Sequence, residues 1–360
     1  MTTPLHVLVV DDSAVVREAM TAVLAGSEGV TVATAPNPIV ARRRMALKRP
    51  DVIVLDLDMP EEDGLTFLRS QMAQDPIPVV ICSSHSVQGS RAALQALQDG
   101  AVEVVAKPRI GVREFVQESK IILLDAIRGA AAARLRRRGP VVAAPAPRVA
   151  APAPVSGGSS RRVIAMAAST GGPQALHEVL AALPAETPGI LVVQHMPAGF
   201  TTAFAKHLDE RCAMTVREAE AGDEVQDGLV LVAPGGRHLS LKRSRTGFAA
   251  DVTDGDLVSR HRPSADVLFR SVAEQVGGEA LGVVLTGMGD DGAEGLAAMK
   301  AAGAGTVAQD EATCVVYGMP KEAVARGAID VVLPLSQVAD CISGWTRKRR
   351  RERITTGEEQ

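Results

Sequence analysis

The sequence predicts an α/β protein of two domains, each with a parallel β-sheet covered by helices. Short apolar segments alternate with segments of helical periodicity over residues 1–128, and the same alternation returns over residues 161–346. Strands that alternate with helices indicate βαβ units and parallel sheets. Hydrophobic residues form 46% of the chain and aromatic residues only 2%. Both cores must therefore be aliphatic, as is typical of buried parallel strands.

Residues 129–160 interrupt this alternation. The segment is rich in alanine, proline and glycine, and we interpret it as a semi-extended linker. Five strand–helix units precede it, which fits a flavodoxin-like fold for the first domain. Residues 347–360 form a polar tail that opens with a basic run. We interpret this run as a solvated helix end, with a patch that contacts nucleic acid as the alternative.

Charge and composition limit the classes of protein. The formal net charge of −3 creates no global field for nucleic acid or membranes. The four cysteines are scattered without C-x-x-C spacing, as in a reducing compartment. No apolar stretch approaches the roughly 20 residues that span a bilayer, and no signal sequence precedes the first strand. We therefore expect a cytoplasmic protein that binds no nucleic acid and is not a membrane protein.

Carboxylates follow the predicted strands of the first domain. Asp11 and Asp12 follow the first strand, and Asp56 ends the third. Because strand ends meet at one edge of a parallel sheet, we expect these carboxylates to lie close together. Their oxygens are ligands that Mg²⁺ prefers. An aspartate whose charge is screened by the metal can attack phosphorus. Ser83 and Lys107, after the fourth and fifth strands, would then bind phosphoryl oxygens. Each aspartate alone is more simply a helix cap, but the four strand ends together favour the site.

Ser169, His195 and Asp291 occupy strand ends in the second domain. Ser169 precedes Pro173, which is typical of a first helical turn, so backbone N–H groups there can stabilise an oxyanion. A hydroxyl, an imidazole and a carboxylate that converge can perform acyl transfer. From the residues alone two alternatives stay open: a structural role for Ser169 and His195, or phosphate binding by the glycine-rich turns.

Six segments of the second domain form an ordered set of motifs: Ala168-Ser-Thr-Gly-Gly-Pro173, Gln194-His-Met-Pro197, Ala233-Pro-Gly-Gly-Arg-His238, His261-Arg-Pro-Ser-Ala-Asp266, Thr286-Gly-Met-Gly-Asp-Asp-Gly292 and Tyr317-Gly-Met-Pro320. With them, residues 162–345 resemble the catalytic domain of the chemotaxis protein-glutamate methylesterases, the CheB family. Residues 5–128 resemble the receiver domain of two-component response regulators. A receiver followed by this catalytic domain is also the architecture of that family.

In the receiver, the resemblance implies that Asp56 is the phospho-acceptor and that Asp11 and Asp12, with Asp56, hold the metal. Ser83 takes the role of the switch hydroxyl, and Lys107 contacts the phosphate. The segment departs from the family at His85, in Ser83-Ser-His-Ser, which bears on the domain interface.

In the second domain, the resemblance implies that Ser169 is the nucleophile, His195 the general base and Asp291 the carboxylate that orients His195. Thr170 is a neighbour of the nucleophile, and the Met288 backbone N–H is an oxyanion donor. Asp290 stands where the family often has Asn, so two adjacent carboxylates compete. The position three residues after Met288 favours Asp291. His238 and His261 also lie in family segments, either as structural residues or lining the cleft.

The implied activity is phosphorylation-activated hydrolysis of glutamate methyl esters on methyl-accepting chemoreceptors, with release of methanol. Deamidation of receptor glutamines is expected from the same machinery. Mg²⁺ would serve phosphorylation of the receiver by a chemotaxis histidine kinase, and hydrolysis would need no cofactor. The alternatives are response regulators with a non-enzymatic output, either DNA binding or docking on receptors as an adaptor.

Overall fold

The protein is described from a computed structural model that covers residues 4–25, 27, 29–60, 63–84, 86–107, 113–134 and 161–356. Most of the predicted linker (135–160) and His85 lie outside the described residues. The described chain folds into the two α/β domains that the sequence predicts.

The N-terminal domain is a parallel sheet with helices on both faces. Its elements are β1 (Leu5–Val10), α1 (Ala14–Leu24), β2 (Val30–Ala35), α2 (Pro38–Leu47), β3 (Val52–Leu55), α3 (Gly64–Gln74), β4 (Val79–Ser83), α4 (Val87–Gln98), β5 (Glu103–Ala106) and α5 (Arg113–Ala132). The strand order β2-β1-β3-β4-β5 is flavodoxin-like, as predicted. Side chains of α1 and α5 cover one face, and side chains of α2, α3 and α4 cover the other.

The C-terminal domain contains a larger parallel sheet. Its elements are β6 (Val163–Ala168), α6 (Gly172–Ala181), β7 (Ile190–Gln194), α7 (Phe200–Asp209), β8 (Thr215–Glu218), β9 (Leu229–Val232), β10 (His238–Arg243), β11 (Phe248–Thr253), α8 (Ala265–Gln275), β12 (Ala280–Val284), α9 (Ala293–Ala301), β13 (Gly305–Gln309), α10 (Met319–Ala325), β14 (Val331–Leu333) and α11 (Leu335–Thr356). Seven strands pair in the order β14-β13-β12-β6-β7-β9-β8, all in parallel. The remaining two, β10 and β11, form a separate antiparallel hairpin.

The central strand β6 marks the point of this larger sheet where the order of strands reverses. It lies between β7, which follows it in the chain, and β12, which the chain forms much later. The order of strands therefore reverses at β6, and ligands of open α/β sheets bind beyond the carboxyl ends of the strands at such a switch point. The residues that follow β6, β7 and β12 are brought together there.

Two helices extend past the predicted boundaries. Helix α5 continues to Ala132, beyond residue 128, because Gly129 is followed by alanines, the best helix formers. Gly129 marks close packing and not a break, since a Cβ there would lie 2.9 Å from the Thr170 hydroxyl. Helix α11 runs to Thr356, well into the predicted tail. Among the described helices, none is both long and apolar enough to cross a membrane.

The receiver is docked on the carboxyl edge of the second sheet. The Gly171 N–H donates to the Val102 carbonyl at 3.2 Å, and the Arg134 N–H donates to the Val315 carbonyl at 2.9 Å. Arg134 also forms an ion pair of 2.6 Å with Glu311, and α4 packs against α7. This docked arrangement places α4, β5 and α5 over the ends of β6 and its neighbours.

Candidate active site

Three carboxylates meet at the carboxyl edge of the receiver sheet. One oxygen each from Asp11, Asp12 and Asp56 lies within 4.8 Å of the others. Asp11 and Asp56 are buried and Asp12 is exposed. The Lys107 ammonium lies 2.6 Å from Asp56 and 3.0 Å from Asp11. Clustered carboxylate oxygens with one open side fit a hard divalent cation such as Mg²⁺.

The negative charge of the three carboxylates exceeds the positive charge of Lys107. Burial raises the pKa of Asp56, although the hydrogen bond and charge of Lys107 oppose that rise, and the Asp11 carboxylate adds repulsion. Burial alone would lower the pKa of Lys107, but its bonds to Asp56 and Asp11 hold that pKa above its usual value. One ammonium thus serves two carboxylates. The Ser83 hydroxyl is buried and, within the described part of the chain, has no hydrogen-bond partner.

The second cluster forms where β12, β6 and β7 end side by side. Ser169 directly follows β6, His195 directly follows β7, and Asp291 lies in the turn between β12 and α9. All three side chains are buried. The Gly287 backbone approaches Ser169 so closely that a Cβ at residue 287 would lie 2.8 Å from the Ser169 Cβ. Only glycine fits there, which explains one of the glycines in this turn.

Asp291 holds His195 by its Nε2 atom. His195 Nε2 lies 2.8 Å from Asp291 Oδ2, and because a carboxylate only accepts, Nε2 carries the proton and Nδ1 keeps a lone pair. Burial would raise the pKa of Asp291, but the hydrogen bond from His195 holds that pKa below its usual value. Nδ1 is therefore the nitrogen that can serve as a base.

The Asp291 carboxylate is fully used as an acceptor. Its Oδ1 accepts from the Ser264 hydroxyl at 2.7 Å and from the Asp266 N–H at 3.0 Å, and its Oδ2 accepts from the Ala265 N–H at 2.7 Å. These donors lie at the start of α8, where backbone N–H groups favour an anion. Asp290, by contrast, is on the surface, 2.9 Å from Arg260.

The hydroxyl of Ser169 is not yet joined to the base in this arrangement. Within the described residues, His195 Nδ1 is buried and has no hydrogen-bond partner. Ser169, Thr170, His195 and Met288 line one cavity of about 220 Å³ between the domains. Ser169 also lies just before α6, whose N-terminal end is positive. The cleft thus holds a hydroxyl, a free imidazole nitrogen and a positive helix end.

The same cavity is lined by the receiver. The Thr170 hydroxyl donates to Glu103 at 2.7 Å, and both side chains are buried. Burial raises the pKa of Glu103 to about 7, although the Thr170 bond opposes that rise. Lys107, four residues further along the chain at the end of β5, lines the cavity as well. A single strand therefore connects Lys107 and the carboxylate cluster to the cleft that holds Ser169.

Sequence reasoning did not find Glu103, Asp125 or Ser264 as members of this site, and it left His261 open as either a structural or a cleft-lining residue. Glu103 and Asp125 reach the cleft only because the receiver docks on it, and no local pattern signals such docking. His261 and Ser264 lie in a motif whose role the residues alone left open. His238 is a structural residue, since one ring nitrogen accepts from the Ser264 N–H and the other bonds the Asp256 carbonyl.

Fold and site together define a class of protein: a response-regulator receiver docked on an α/β ester hydrolase domain. Comparisons with known proteins agree. Residues 7–118 match the family model of the response regulator receiver domain, and residues 164–342 match that of the CheB methylesterase. The chain belongs to the CheB family of protein-glutamate methylesterases. Its second domain is therefore an ester hydrolase domain and not a DNA-binding output.

Curated relatives resemble the chain over nearly its whole length. A protein-glutamate methylesterase/protein-glutamine glutaminase of Anaeromyxobacter dehalogenans is 55% identical over 93% of this chain and 95% of its own. A relative of the same name from Rhodospirillum rubrum is 52% identical over 93% and 96%. The crystal structure of the Thermotoga maritima CheB methylesterase catalytic domain is 39% identical over 50% of this chain and 96% of that one, with a TM-score of 0.49.

Proposed function

We propose that this chain hydrolyses glutamate methyl esters on methyl-accepting chemoreceptors, releases methanol, and deamidates receptor glutamines by the same route. The observation that carries this proposal is the buried His195–Asp291 pair next to Ser169 at the switch point of the sheet. Family membership supports the substrate class. We further propose that the protein acts in the cytoplasm, where the signalling domains of such receptors would be reached.

In the proposed reaction the Ser169 oxygen attacks the ester carbonyl. His195 Nδ1 takes the hydroxyl proton and passes it to the departing methoxide, and water then clears the acyl-enzyme. The Met288 N–H and the N-terminal end of α6 stabilise the negative oxygen. A glutamine amide passes through a similar tetrahedral intermediate, so the same groups would release ammonia.

The receiver would control this reaction by covering the cleft. In the docked form, Glu103 occupies the space next to the nucleophile, and α5 lies across the outer rim. Asp56 is the proposed phospho-acceptor, with a chemotaxis histidine kinase as donor, and Asp11, Asp12 and Asp56 would hold Mg²⁺. The bound metal would screen the carboxylates during phosphoryl transfer. Ser83 and Lys107 would then turn to the phosphoryl oxygens, and a shift of Lys107 would disturb β5 and loosen the interface.

The proposed activity is tested by methanol release from receptor membranes whose glutamates carry labelled methyl esters. Full-length protein, supplied with a small phosphodonor and Mg²⁺, should release volatile label in proportion to the enzyme added. Membranes whose receptors carry glutamine at these sites, in place of the methyl esters, should yield ammonia. A protein that binds these membranes but releases no methanol would be an adaptor, and the proposal would be wrong.

The raised pKa of Glu103 predicts that receiver docking depends on pH. Burial in the docked form raises the pKa of this carboxyl from 4.5 to about 7. At a pH between these two pKa values, Glu103 takes up a proton when the receiver docks. The docked form therefore becomes less stable as pH rises from about 5 to 7, and its stability does not depend on Glu103 ionisation above that range. The unphosphorylated enzyme should become less restrained over the same window.

Glu103→Gln is the matched variant, because glutamine can still accept from Thr170 but stays neutral at every pH. The ratio of wild-type to variant methanol release, measured without phosphodonor, should rise severalfold between pH 5.5 and 7.5, because the docked pKa of about 7 lies within this range. Dividing the two rates cancels the pH dependence of every group that both proteins share. A ratio that stays flat over this window would show that Glu103 does not titrate with docking.

A further inference from the structure

A second imidazole lies flat against the catalytic one. The rings of His195 and His261 are stacked, with centroids 3.7 Å apart and planes inclined by 8°. Asp291 holds His195 at a single ring nitrogen, and one hydrogen bond fixes one atom but leaves the ring plane free to tilt. The face contact with His261 restricts that remaining freedom.

The backbone before His261 adopts a conformation that side chains other than glycine rarely take. Ser259 has φ of 50° and Arg260 has φ of 69°. Two hydrogen bonds between Val258 and His261, of 3.1 and 2.9 Å, close this tight turn, and the Ser259 hydroxyl is tied to Asp266 at 3.0 Å. Such strain persists only where the surroundings enforce it, and it concentrates at functional sites.

The same short segment also fixes the carboxylate partner of His195. Immediately after His261, the chain reaches the start of α8, where Ser264, Ala265 and Asp266 donate to Asp291. Residues 258–266 therefore set both the plane of the His195 ring and the position of the carboxylate that holds its Nε2 atom. The stacked ring of His261 thus belongs to the same segment that holds the carboxylate partner of His195.

We propose that His261 is a positioning residue, whose stacked ring holds the His195 imidazole in the plane that presents Nδ1 to the Ser169 hydroxyl. This inference rests on the proposed function and deepens it. Burial lowers the pKa of His261 well below its usual value, and the neighbouring His195 lowers it further. His261 thus stays neutral when His195 takes up the proton, and two imidazolium rings never face each other.

The receiver contacts this segment from the other side. Asp125 of α5 lies 3.8 Å from His261 Nε2 and 3.6 Å from Arg260 Nε. A change at residue 261 can therefore alter docking as well as catalysis. The two effects separate if kcat and KM are measured on full-length enzyme stimulated by phosphodonor and Mg²⁺. Glu311→Gln is the control: it removes the charge that pairs with Arg134 across the docked interface at 2.6 Å, and it lies outside residues 258–266.

The test compares His261→Ala and His261→Phe in the methanol assay. The alanine variant should lose roughly 10- to 100-fold in kcat with little change in KM, because only the orientation of the base is lost. The phenylalanine variant restores a flat ring and should recover most of that loss. Glu311→Gln, which loosens docking without touching residues 258–266, should keep the wild-type kcat. Thermal unfolding of each variant shows whether it folds.

The phenylalanine variant keeps the test decisive even if the alanine variant fails to fold. A Phe variant more than about tenfold slower than wild type in kcat, or an Ala variant as fast as wild type, would overturn the positioning role. A loss confined to KM would overturn it as well. Wild-type enzyme that releases no methanol would instead refute the proposed function, so the two failures are distinguishable.

Discussion

Ser169→Ala should lower methanol release by about 10⁴-fold or more, with no loss of folded protein. The change removes only the oxygen that would attack the ester, and the Ser169 backbone contacts stay in place. Thr170→Val removes the other hydroxyl at the start of α6 and should have a far smaller effect on kcat. The measurement is kcat/KM on methylated receptor membranes, in the presence of phosphodonor.

His195→Ala should be comparably severe, because the hydroxyl then has no base. If Ser169→Ala keeps even a tenth of the wild-type rate, Ser169 is not the nucleophile. If Thr170→Val is instead the inactive variant, the nucleophile is the neighbouring hydroxyl.

Asp291→Asn should lower kcat by on the order of 10³- to 10⁴-fold. The Asp291 oxygens accept from Ser264, Ala265, Asp266 and His195. An amide replaces one acceptor by a donor, so either the donors of α8 or the His195 Nε2–H must face an N–H group. The ring would then lose the tautomer that leaves Nδ1 as the base.

Asp290→Asn is the adjacent control. Asp290 is half exposed and pairs with Arg260 at 2.9 Å and with Arg326 at 3.7 Å, and surface ion pairs contribute at most about 1 kcal/mol. Its variant should keep nearly the full rate. If Asp290→Asn is the more damaging change, the orienting carboxylate has been assigned to the wrong residue.

The sequence predicted the fold well because buried parallel strands leave a clear pattern. Continuous apolar runs mark β3, β6 and β12. The five strand–helix units of the receiver match a flavodoxin-like fold, although the strand order itself is seen only in the structure. The hairpin of β10 and β11 was not predicted, since neither strand is a continuous apolar run like those of the buried parallel strands. The end of α5 was placed too early because Gly129 resembles a helix breaker until its packing against Thr170 is known.

Some residues of the candidate site could be predicted from the sequence, and others could not. Ser169, His195 and Asp291 were predicted as a group because each follows a strand, and the resemblance to the CheB family gave each its expected role. His261 reaches His195 through a strained turn, and its stacking depends on distances that no spacing encodes. Glu103 and Asp125 belong to the site only through docking between domains, which depends on two surfaces that lie far apart in the chain.

Control of the cleft by the receiver predicts that phosphorylation of Asp56 speeds hydrolysis. Methanol release is compared for full-length wild type and Asp56→Asn, each with and without phosphodonor and Mg²⁺. The wild type should be stimulated, by roughly tenfold if the docked form is favoured by about 1.4 kcal/mol. Asp56→Asn should stay at the slow basal rate under both conditions. Equal wild-type rates with and without phosphodonor, or stimulation of Asp56→Asn to the same level, would contradict this account.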